Sequence, residues 1–302
     1  MGGMRIAITG STGLIGTALV RSLTADGHSV VRLVRRPARS RGEVSWDPER
    51  QWVDTGGLAG CEAVVHLAGA PIGGHRWTAA YKKEIRDSRV LGTAAVAEAL
   101  ASLDAPPRVL VSGSAIGIYG DTGDRPADES TPPGHGFLAD VCQEWEEAAA
   151  PAAEAGVRTV HARTGLVVAR GGGAWAKLFP LFRLGLGGRL GDGRQYWSFI
   201  ALDDHIAALR HLLDSGDVSG PVNLTAPHPV TNREMTAVMG RVLRRPTLFP
   251  APAPALKLAL GELAGDVLGS QRVLPRRLLD SGFSFDCPTA ESAVRAALGE
   301  PG

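Results

Sequence analysis

Residues 5–25 read RIAITGSTGLIGTALVRSLTA, in which a short apolar run, a glycine-rich turn and an amphipathic stretch follow one another directly. The apolar run predicts a buried strand, and the spacing of apolar residues from Leu14 to Ala25 predicts a helix. Glycines between a strand and a helix let backbone N–H groups and the helix N-terminus face a pyrophosphate. We therefore predict a dinucleotide site here, with contacts from Gly10, Ser11, Thr12, Gly13, Leu14, Ile15 and Gly16.

The spacing of these glycines is a weak signal by itself. The pattern GxxGxxG also occurs at 117–123 and 185–191, and 39 glycines in 302 residues supply roughly 0.6 matches by chance. Only the first match follows a predicted strand and opens a predicted helix. We therefore interpret the other two matches as turns.

Strand and helix patterns alternate along the first part of the chain. Apolar runs predict strands at 5–9, 28–34, 63–68, 108–112 and 157–164, and 3.6-residue periodicity predicts helices at 14–25, 78–103 and 134–150. This order is typical of an α/β fold with a doubly wound parallel Rossmann sheet. A smaller, mainly helical C-terminal region is expected to follow. We place the nucleotide-binding domain at 1–223, with an insertion at about 171–200, and the C-terminal region at 224–302.

Composition excludes several classes of protein and partner. The chain has 32 Lys and Arg against 31 Asp and Glu, a net charge of +1, and no long run of like charge. We therefore expect neither a nucleic-acid partner nor a membrane partner. No apolar stretch approaches the about 18 residues that a membrane span needs. Three well-separated cysteines without a CxxC pair predict neither disulfides nor a metal site, and they favour a reduced, cytoplasmic setting.

The end of the second predicted strand indicates which dinucleotide binds. An Asp or Glu about 20 residues after the glycines would hydrogen-bond the ribose 2′-hydroxyl of NAD, whereas an arginine accommodates the 2′-phosphate of NADP. This chain has Arg35 and Arg36 there, and no carboxylate between Asp26 and Glu43. The planar guanidinium suits a phosphate, so we predict NADP as the cofactor. The alternative is a solvated basic loop without a ligand.

Three segments resemble the extended short-chain dehydrogenases/reductases, namely TGSTGLIG at 9–16, HLAGAPI at 66–72 and SGSAIGIYG at 112–120. Later segments, at 162–174, 185–200, 220–235 and 269–289, resemble the atypical, epimerase-like members (NAD-dependent epimerase/dehydratase) that carry their own small C-terminal domain. The resemblance covers nearly the whole chain. It implies cofactor contacts from Leu67, Ala68 and Gly69, to which we add Ser112 and Arg163. It also implies a pocket between the nucleotide-binding domain and a C-terminal substrate region, lined by the insertion at about 171–200 with Gln195, Trp197 and Ser198.

The chain departs from this family in the helix predicted at 134–150. In typical relatives this helix carries Tyr-x-x-x-Lys, in which the ammonium lowers the pKa of the tyrosine and orients the nicotinamide ribose. Here the same face presents Leu138 and Cys142, or Phe137 and Val141 if the alignment shifts by one. No tyrosine in the chain has a lysine four residues later. Where many relatives have a histidine further on, this chain has Ala201.

Two residues remain as candidates for the catalytic role. The resemblance places Ser114 at the family's active-site serine, which hydrogen-bonds a substrate oxygen; the alternative is a loop serine that satisfies its own backbone. Tyr119 follows closely and could donate a phenolic proton. Three other features have simpler interpretations: Cys142 as a small hydrophobe, Glu146 and its acidic neighbours as a solvated helix face, and Asp203 to His205 as a helix cap rather than a metal site.

These patterns favour an NADP(H)-binding, epimerase-like oxidoreductase that transfers hydride to or from a small polar substrate, with a sugar as one candidate. Reduction and epimerisation use the same bound cofactor and differ only in whether the hydride returns, so the sequence does not separate them. The alternative, favoured by the missing Tyr/Lys pair, is a catalytically silent NADPH-binding sensor or scaffold. A small-molecule substrate is the expected partner, and the sequence leaves the oligomeric state open.

Overall fold

The computed structural model describes residues 3–300 and has a central sheet of eight strands. The strands of the described residues are β1 Arg5–Thr9, β2 Ser29–Val34, β3 Glu43–Asp47, β4 Trp52–Val53, β5 Ala63–His66, β6 Val109–Ala115, β7 Arg158–Thr164, β8 Leu166–Val168, β9 Tyr196–Trp197, β10 Phe199–Ala201, β11 Gly220–Leu224 and β12 Val230–Thr231. The strands of the central sheet have the order β11-β7-β6-β5-β1-β2-β3-β4, and neighbouring strands are parallel, except for β3 with β4. The doubly wound parallel α/β fold predicted from the sequence is thereby confirmed.

Helices cover both faces of the central sheet. In residues 3–300 they are α1 Leu14–Ala25, α2 Thr55–Leu58, α3 Ala79–Ala101, α4 Phe137–Glu147, α5 Ala150–Glu154, α6 Trp175–Arg183, α7 Leu202–Asp214, α8 Asn232–Leu243, α9 Ala253–Leu260, α10 Leu263–Leu268, α11 Arg276–Asp280 and α12 Ala290–Leu298, with a 3₁₀ turn at Ile116–Tyr119. Ile6 and Ile8 pack against the layer of α1 and α7, whereas Ala7 between them packs against the layer of α3. Successive residues of a strand point to opposite faces, so both layers share one sheet.

The ends of the predicted helices differ from the observed ones for local reasons. The helix predicted at 78–103 begins at Ala79 because Thr78 caps it, with its hydroxyl accepting the N–H of Tyr81. The helix predicted at 134–150 is α4, which begins after Gly136, whose φ is 111°. The sequence interpretation missed β3 and β4, because β3 (EVSWD) mixes charged and apolar residues near the edge of the sheet.

The segment predicted as a pocket-lining insertion packs with the C-terminal helices. Phe179 of α6 and Phe199 of β10 share a buried cluster with Met235 of α8 and Val294 of α12. Two small sheets, β8 with β10 and β9 with β12, complete this part. The domain division at 223/224 stays a prediction. No helix within residues 3–300 is long and apolar enough to cross a membrane.

Candidate cofactor and active site

Two glycines of the loop between β1 and α1 are required by the fold itself. Gly10 has a φ of +64°, and a Cβ built on it would lie 2.8 Å from the carbonyl carbon of Leu67. A Cβ on Gly16 would lie 2.2 Å from the carbonyl oxygen of Gly10. Both distances are too short for a side chain. Gly10 therefore lets the loop approach the end of β5, and Gly16 lets α1 pack against the loop.

Gly13 has no such internal requirement. Its φ of −75° is ordinary, and the nearest atom to a Cβ built there is the Gly10 oxygen at 3.4 Å. Gly13 is also the N-cap of α1, and its missing side chain leaves the helix start without a side-chain acceptor. The first N–H groups of a helix carry partial positive charge and need partners. The loop thus offers donors and open space where a pyrophosphate was predicted.

The other predicted loop residues differ in exposure. Ser11 is nearly buried and Thr12 is exposed, whereas Leu14 and Ile15 are half-buried. A Cβ on Gly172 would lie 2.9 Å from Leu14, so the segment that precedes α6 approaches the start of α1.

The end of β5 is held beside the glycine loop by Thr9 and His66. The Thr9 hydroxyl accepts the N–H groups of Leu67 at 3.0 Å and Ala68 at 3.1 Å, and lies 2.8 Å from His66 Nδ1. Because the hydroxyl has one proton, that proton goes to Nδ1, which assigns the Nε2–H tautomer to His66. Complete burial lowers the pKa of His66 to about 4. His66 is therefore a neutral structural residue that orients the Thr9 hydroxyl, which in turn holds the predicted contacts Leu67 and Ala68.

Arg35 and Arg36 lie exposed just after β2, at the position predicted for the 2′-phosphate. Arg36 makes a bidentate ion pair with Glu43 of β3, at 2.7 and 2.8 Å. Its hydrogen bonds hold the pKa of Glu43 at about 2. Arg35 has no hydrogen-bond or ionic partner within residues 3–300. Of the two arginines, Arg35 is therefore the one with a free guanidinium.

Arg89 is a charged residue near the predicted cofactor that the sequence interpretation missed. It lies on α3 and is 9% exposed. Its guanidinium donates to the Ile85 carbonyl at 2.9 Å and stacks on Trp145 at 5.1 Å. A Cβ on Gly69 would lie 3.3 Å from the Arg89 Cζ. No carboxylate of the described residues pairs with it, and burial lowers its pKa.

An unpaired buried cation is costly unless an anion or polar ligand completes it. The sequence did contain a sign that Arg89 is buried, because its spacing places it on the buried stripe of α3 with Ile85, Thr93 and Val96. A charged residue on such a stripe is the informative exception to the pattern.

A second polar cluster lies at the ends of β6, β7 and β11. Ser114, Arg163 and Asn223 occupy one register row across these strands. Glu146 of α4 makes a bidentate ion pair with Arg163, with two contacts of 2.8 Å, and accepts from Ser114 at 2.6 Å. The Tyr119 hydroxyl donates to Asn223 at 2.8 Å and accepts from Arg163 at 2.9 Å. We call these five residues the Glu146 network.

The Glu146 network satisfies most of its own polar groups. Burial raises the pKa of Tyr119 despite the opposing charge of Arg163. Burial works to lower the pKa of Arg163, but the hydrogen bonds and charge of Glu146, together with Tyr119, outweigh it and raise that pKa. The sequence interpretation of Glu146 as part of a solvated helix face is wrong, because its carboxylate faces β6 and β7. Ser114 and Tyr119 therefore lie together, but each already has protein partners.

Other predicted site residues also have protein partners. Ser112 is fully buried on β6, and the Gln195 amide donates to the Leu190 carbonyl at 3.0 Å. The Ser198 hydroxyl donates to the Gln271 carbonyl at 2.7 Å and accepts from Val273. Trp197 is half-buried and packs edge-on against Trp175. The roles predicted for these residues stay predictions.

Two residues of interest from the sequence have structural roles. Burial raises the pKa of the Cys142 thiol to about 12, so it is an inert, protonated group. Asp204 does not cap α7; its carboxylate accepts the N–H groups of Asp286 and Cys287, each at 2.9 Å. The cap interpretation is therefore wrong for Asp204. In residues 3–300 no group of three or more His, Cys, Asp and Glu could hold a metal ion.

Known proteins resemble this chain over almost its whole length. The profile of the NAD dependent epimerase/dehydratase family matches residues 6–225, and that of a domain of unknown function, DUF1731, matches residues 251–297. An epimerase family protein of Mycobacterium bovis is 44% identical over 298 residues, 98% of each chain. The crystal structure of human epimerase family protein SDR39U1 (isoform 2) with NADPH has a TM-score of 0.91 at 34% identity, covering 98% of this chain and 99% of the human one. The structure of the nucleoside-diphosphate sugar epimerase from Corynebacterium glutamicum has a TM-score of 0.82 at 35% identity, covering 99% of this chain and 59% of that one.

Proposed function

The chain belongs to the NAD dependent epimerase/dehydratase family, and on that premise we propose that it binds NADP(H) and transfers hydride to or from a small polar, sugar-like substrate. One observation carries the proposal. Near the ends of β1 and β5, the backbone N–H groups at the start of α1 and the guanidinium of Arg89 are hydrogen-bond donors. The described residues supply too few acceptors for them. A dinucleotide has both the pyrophosphate and the ribose hydroxyls that such donors bind.

The predicted residues fit the two ends of this cofactor. The pyrophosphate would lie at the start of α1, against the backbone of Gly13 to Gly16. The 2′-phosphate would lie at Arg35 and Arg36, since arginine pairs with phosphate in a bidentate way. The human relative whose structure contains NADPH supports the same choice of NADP over NAD.

Arg89 would replace the cation that Tyr-x-x-x-Lys relatives carry on the helix equivalent to α4. Its guanidinium lies against Gly69, one of the predicted cofactor contacts. From there its guanidinium would donate hydrogen bonds to the part of the cofactor on the nicotinamide side of the pyrophosphate. An unpaired cation at this position disfavours a second positive charge, so the site is expected to hold NADPH more tightly than NADP⁺.

The nicotinamide supplies or accepts the hydride when the cofactor is bound. The protein's part is to orient the substrate oxygen. The Ser114 hydroxyl donates its one hydrogen bond to Glu146, so its lone pairs remain available to accept a hydrogen bond from a substrate hydroxyl. The Corynebacterium relative named as a nucleoside-diphosphate sugar epimerase supports a sugar as that substrate. The buried free thiols Cys61, Cys142 and Cys287 suit the reducing cytoplasm, where we place the protein.

The test mixes the protein with NADPH or NADP⁺ and with a panel of carbonyl compounds, sugars and nucleoside-diphosphate sugars. Nicotinamide absorbance reports net hydride transfer, and substrate NMR reports epimerisation, which leaves the absorbance unchanged. We expect at least one member to turn over, and Ser114→Ala to slow that turnover by about a hundredfold. Ser102→Ala, at the exposed end of α3 and away from every predicted site residue, is the control.

A second candidate function is a silent NADPH-binding sensor or scaffold. The observation that favours it is the Glu146 network, in which Tyr119 and Ser114 already have protein partners, together with the absent Tyr-x-x-x-Lys pair. Tight NADPH binding with no turnover by either readout would favour this function over hydride transfer.

A further inference from the structure

Exposed apolar side chains are concentrated in one part of the molecule. Eight large apolar residues are exposed in residues 3–300, and only Trp52 and Leu279 lie elsewhere. Leu184, Leu248 and Leu258 are 72%, 75% and 78% exposed, which is unusual for leucine. A concentration of such residues marks an interaction surface. The six residues are Leu181, Leu184, Leu186, Leu248, Phe249 and Leu258.

Two chain segments that hold most of these residues run side by side. Arg245 donates to the Arg183 carbonyl at 2.8 Å, and the Ala251 N–H donates to the Arg189 carbonyl at 2.9 Å. Between these bonds, a Cβ on Gly188 would lie only 2.0 Å from the Phe249 carbonyl oxygen. The segments 181–189 and 244–249 are therefore held together as one surface.

Helix α9 continues from this surface. It reads APALKLAL, and none of its residues is buried. Arg76 holds its last turn by donating to the Leu258 carbonyl at 3.2 Å. Its Leu256 and Leu260 are half-buried, whereas Leu258 is 78% exposed, so the side of the helix with Leu258 is left uncovered by residues 3–300. We call the segments 181–189, 244–249 and 257–258 the basic apolar surface.

The charges on this surface all have one sign. Residues 181–190 and 244–261 contain no Asp or Glu. Their cations are all exposed: Arg183, Arg189, Arg244, Arg245 and Lys257. The whole chain has a net charge of only +1, so this is a local concentration of positive charge.

The positive charge of this surface determines which kind of binding partner it favours. A second copy docked face to face would bring five cations against five, which disfavours a symmetric dimer through this surface. An anionic bilayer offers negative headgroups to the cations and an apolar layer to the leucines. We propose that the basic apolar surface binds the surface of an anionic lipid membrane.

This proposal departs from the expectation, drawn from the sequence, that the protein has no membrane partner. That expectation rested on the charge of the whole chain, whereas membrane attraction acts within about 10 Å of the surface. Peripheral binding requires no spanning helix.

Vesicle co-sedimentation tests the proposal without reference to the cofactor or to any activity. The full chain is mixed with phosphatidylcholine vesicles, with or without phosphatidylglycerol, at low and at high salt. We expect binding to the anionic vesicles that weakens as salt rises, and little binding to the neutral ones. The double variant Arg183→Gln with Lys257→Gln should bind about thirtyfold more weakly, at about fivefold for each cation. Leu248→Ser with Phe249→Ser should also lower binding, by about tenfold or more.

Matched controls lie outside the surface. Trp52→Ser with Leu279→Ser removes the two other exposed apolar side chains, and Arg21→Gln with Arg50→Gln removes two exposed cations elsewhere. Both double variants should bind like the wild type, and NADPH binding should be equal in all variants. A folded wild type that does not bind anionic vesicles at low salt would overturn the proposal and point to an acidic protein partner. Equal losses in the surface and control variants would also overturn it.

Discussion

The two halves of the carboxyl edge of the sheet differ in how far their polar groups are satisfied. Around β1, β2 and β5, the start of α1, Arg35 and Arg89 have donors without acceptors in the described residues. Around β6, β7 and β11, the Glu146 network pairs Arg163, Tyr119 and Ser114 with protein acceptors. Buried polar groups are normally paired, so the unpaired buried guanidinium of Arg89 indicates a ligand site, and the paired groups of the Glu146 network indicate a structural role. The first half therefore supports cofactor binding more strongly than the second supports catalysis.

Breaking the Glu146 network should have the largest effect on stability. Glu146→Ala leaves the buried Arg163 without its carboxylate, and loss of one partner of a buried pair costs about 3–5 kcal/mol. Urea unfolding should show that decrease in the free energy of unfolding. The exposed neighbour Glu147→Ala is the control and should change it by less than about 0.5 kcal/mol. Equal effects of the two variants would mean that the network is not structural.

Both halves contain a buried neutral histidine, and acid should destabilise both. Burial lowers the pKa of His66 and His205 to about 4, below the ordinary 6.5 of the unfolded chain. The unfolded state therefore binds more protons below pH 6.5, so the stability is present above that pH and is lost as pH falls toward 4. The loss between pH 7.5 and pH 5 should be about 2 kcal/mol for each histidine.

Urea unfolding across that pH range measures this loss in the wild type and in His66→Gln with His205→Gln. Burial raises the pKa of Asp204 and Glu129, so protonation of these carboxyls acts in the opposite direction. The difference between the two proteins isolates the histidines. A wild-type pH dependence no steeper than that of the double variant would contradict the assignment.

Substitution of two glycines distinguishes a role in the stability of the fold from a role in ligand binding. Gly13→Ala meets no atom closer than 3.4 Å, whereas Gly16→Ala places its Cβ 2.2 Å from the Gly10 oxygen. We expect Gly13→Ala to keep its stability and to bind NADPH about a hundredfold more weakly, a loss of about 2.7 kcal/mol. Gly16→Ala should lose stability as well. Thermal unfolding and NADPH titration of both variants distinguish the roles, and undiminished NADPH binding by Gly13→Ala would place the pyrophosphate elsewhere.

Removal of Arg89 should have the opposite effect on stability to removal of Glu146. Arg89→Met keeps most of the side-chain volume and removes an unpaired buried charge, so the free energy of unfolding should stay equal or rise by about 1 kcal/mol. NADPH affinity should fall about tenfold, or about 1.4 kcal/mol. Arg86→Met, on an exposed turn of the same helix, is the control. Destabilisation by Arg89→Met with unchanged NADPH affinity would make Arg89 a structural residue.

The sequence predicted the first half of the edge better than the second, for physical reasons. The glycine loop is local in sequence, since its strand, turn and helix occupy consecutive residues. Residues 5–25 alone were therefore sufficient to predict these three elements. Glu146 and Arg89 gain their roles only through strands and helices that are distant in sequence. Glu146 pairs with Arg163 across 17 residues, and Gly69 meets Arg89 across a loop that no spacing rule describes. Net charge likewise misses the basic apolar surface, because Arg183 and Arg245 lie far apart in sequence and come together only in the fold.

The most direct test of the central claim is the affinity of the purified protein for NADPH and NADH, followed by tryptophan quenching. The titration compares the wild type with Arg35→Ala and Arg36→Ala, and with Arg21→Ala as a control on the exposed side of α1. The account predicts that NADPH binds at least about tenfold more tightly than NADH, a difference of about 1.4 kcal/mol. Arg35→Ala should lose more of that preference than Arg36→Ala, because Glu43 already pairs with Arg36. Equal affinity for the two nucleotides in the wild type, or binding of neither, would contradict the account.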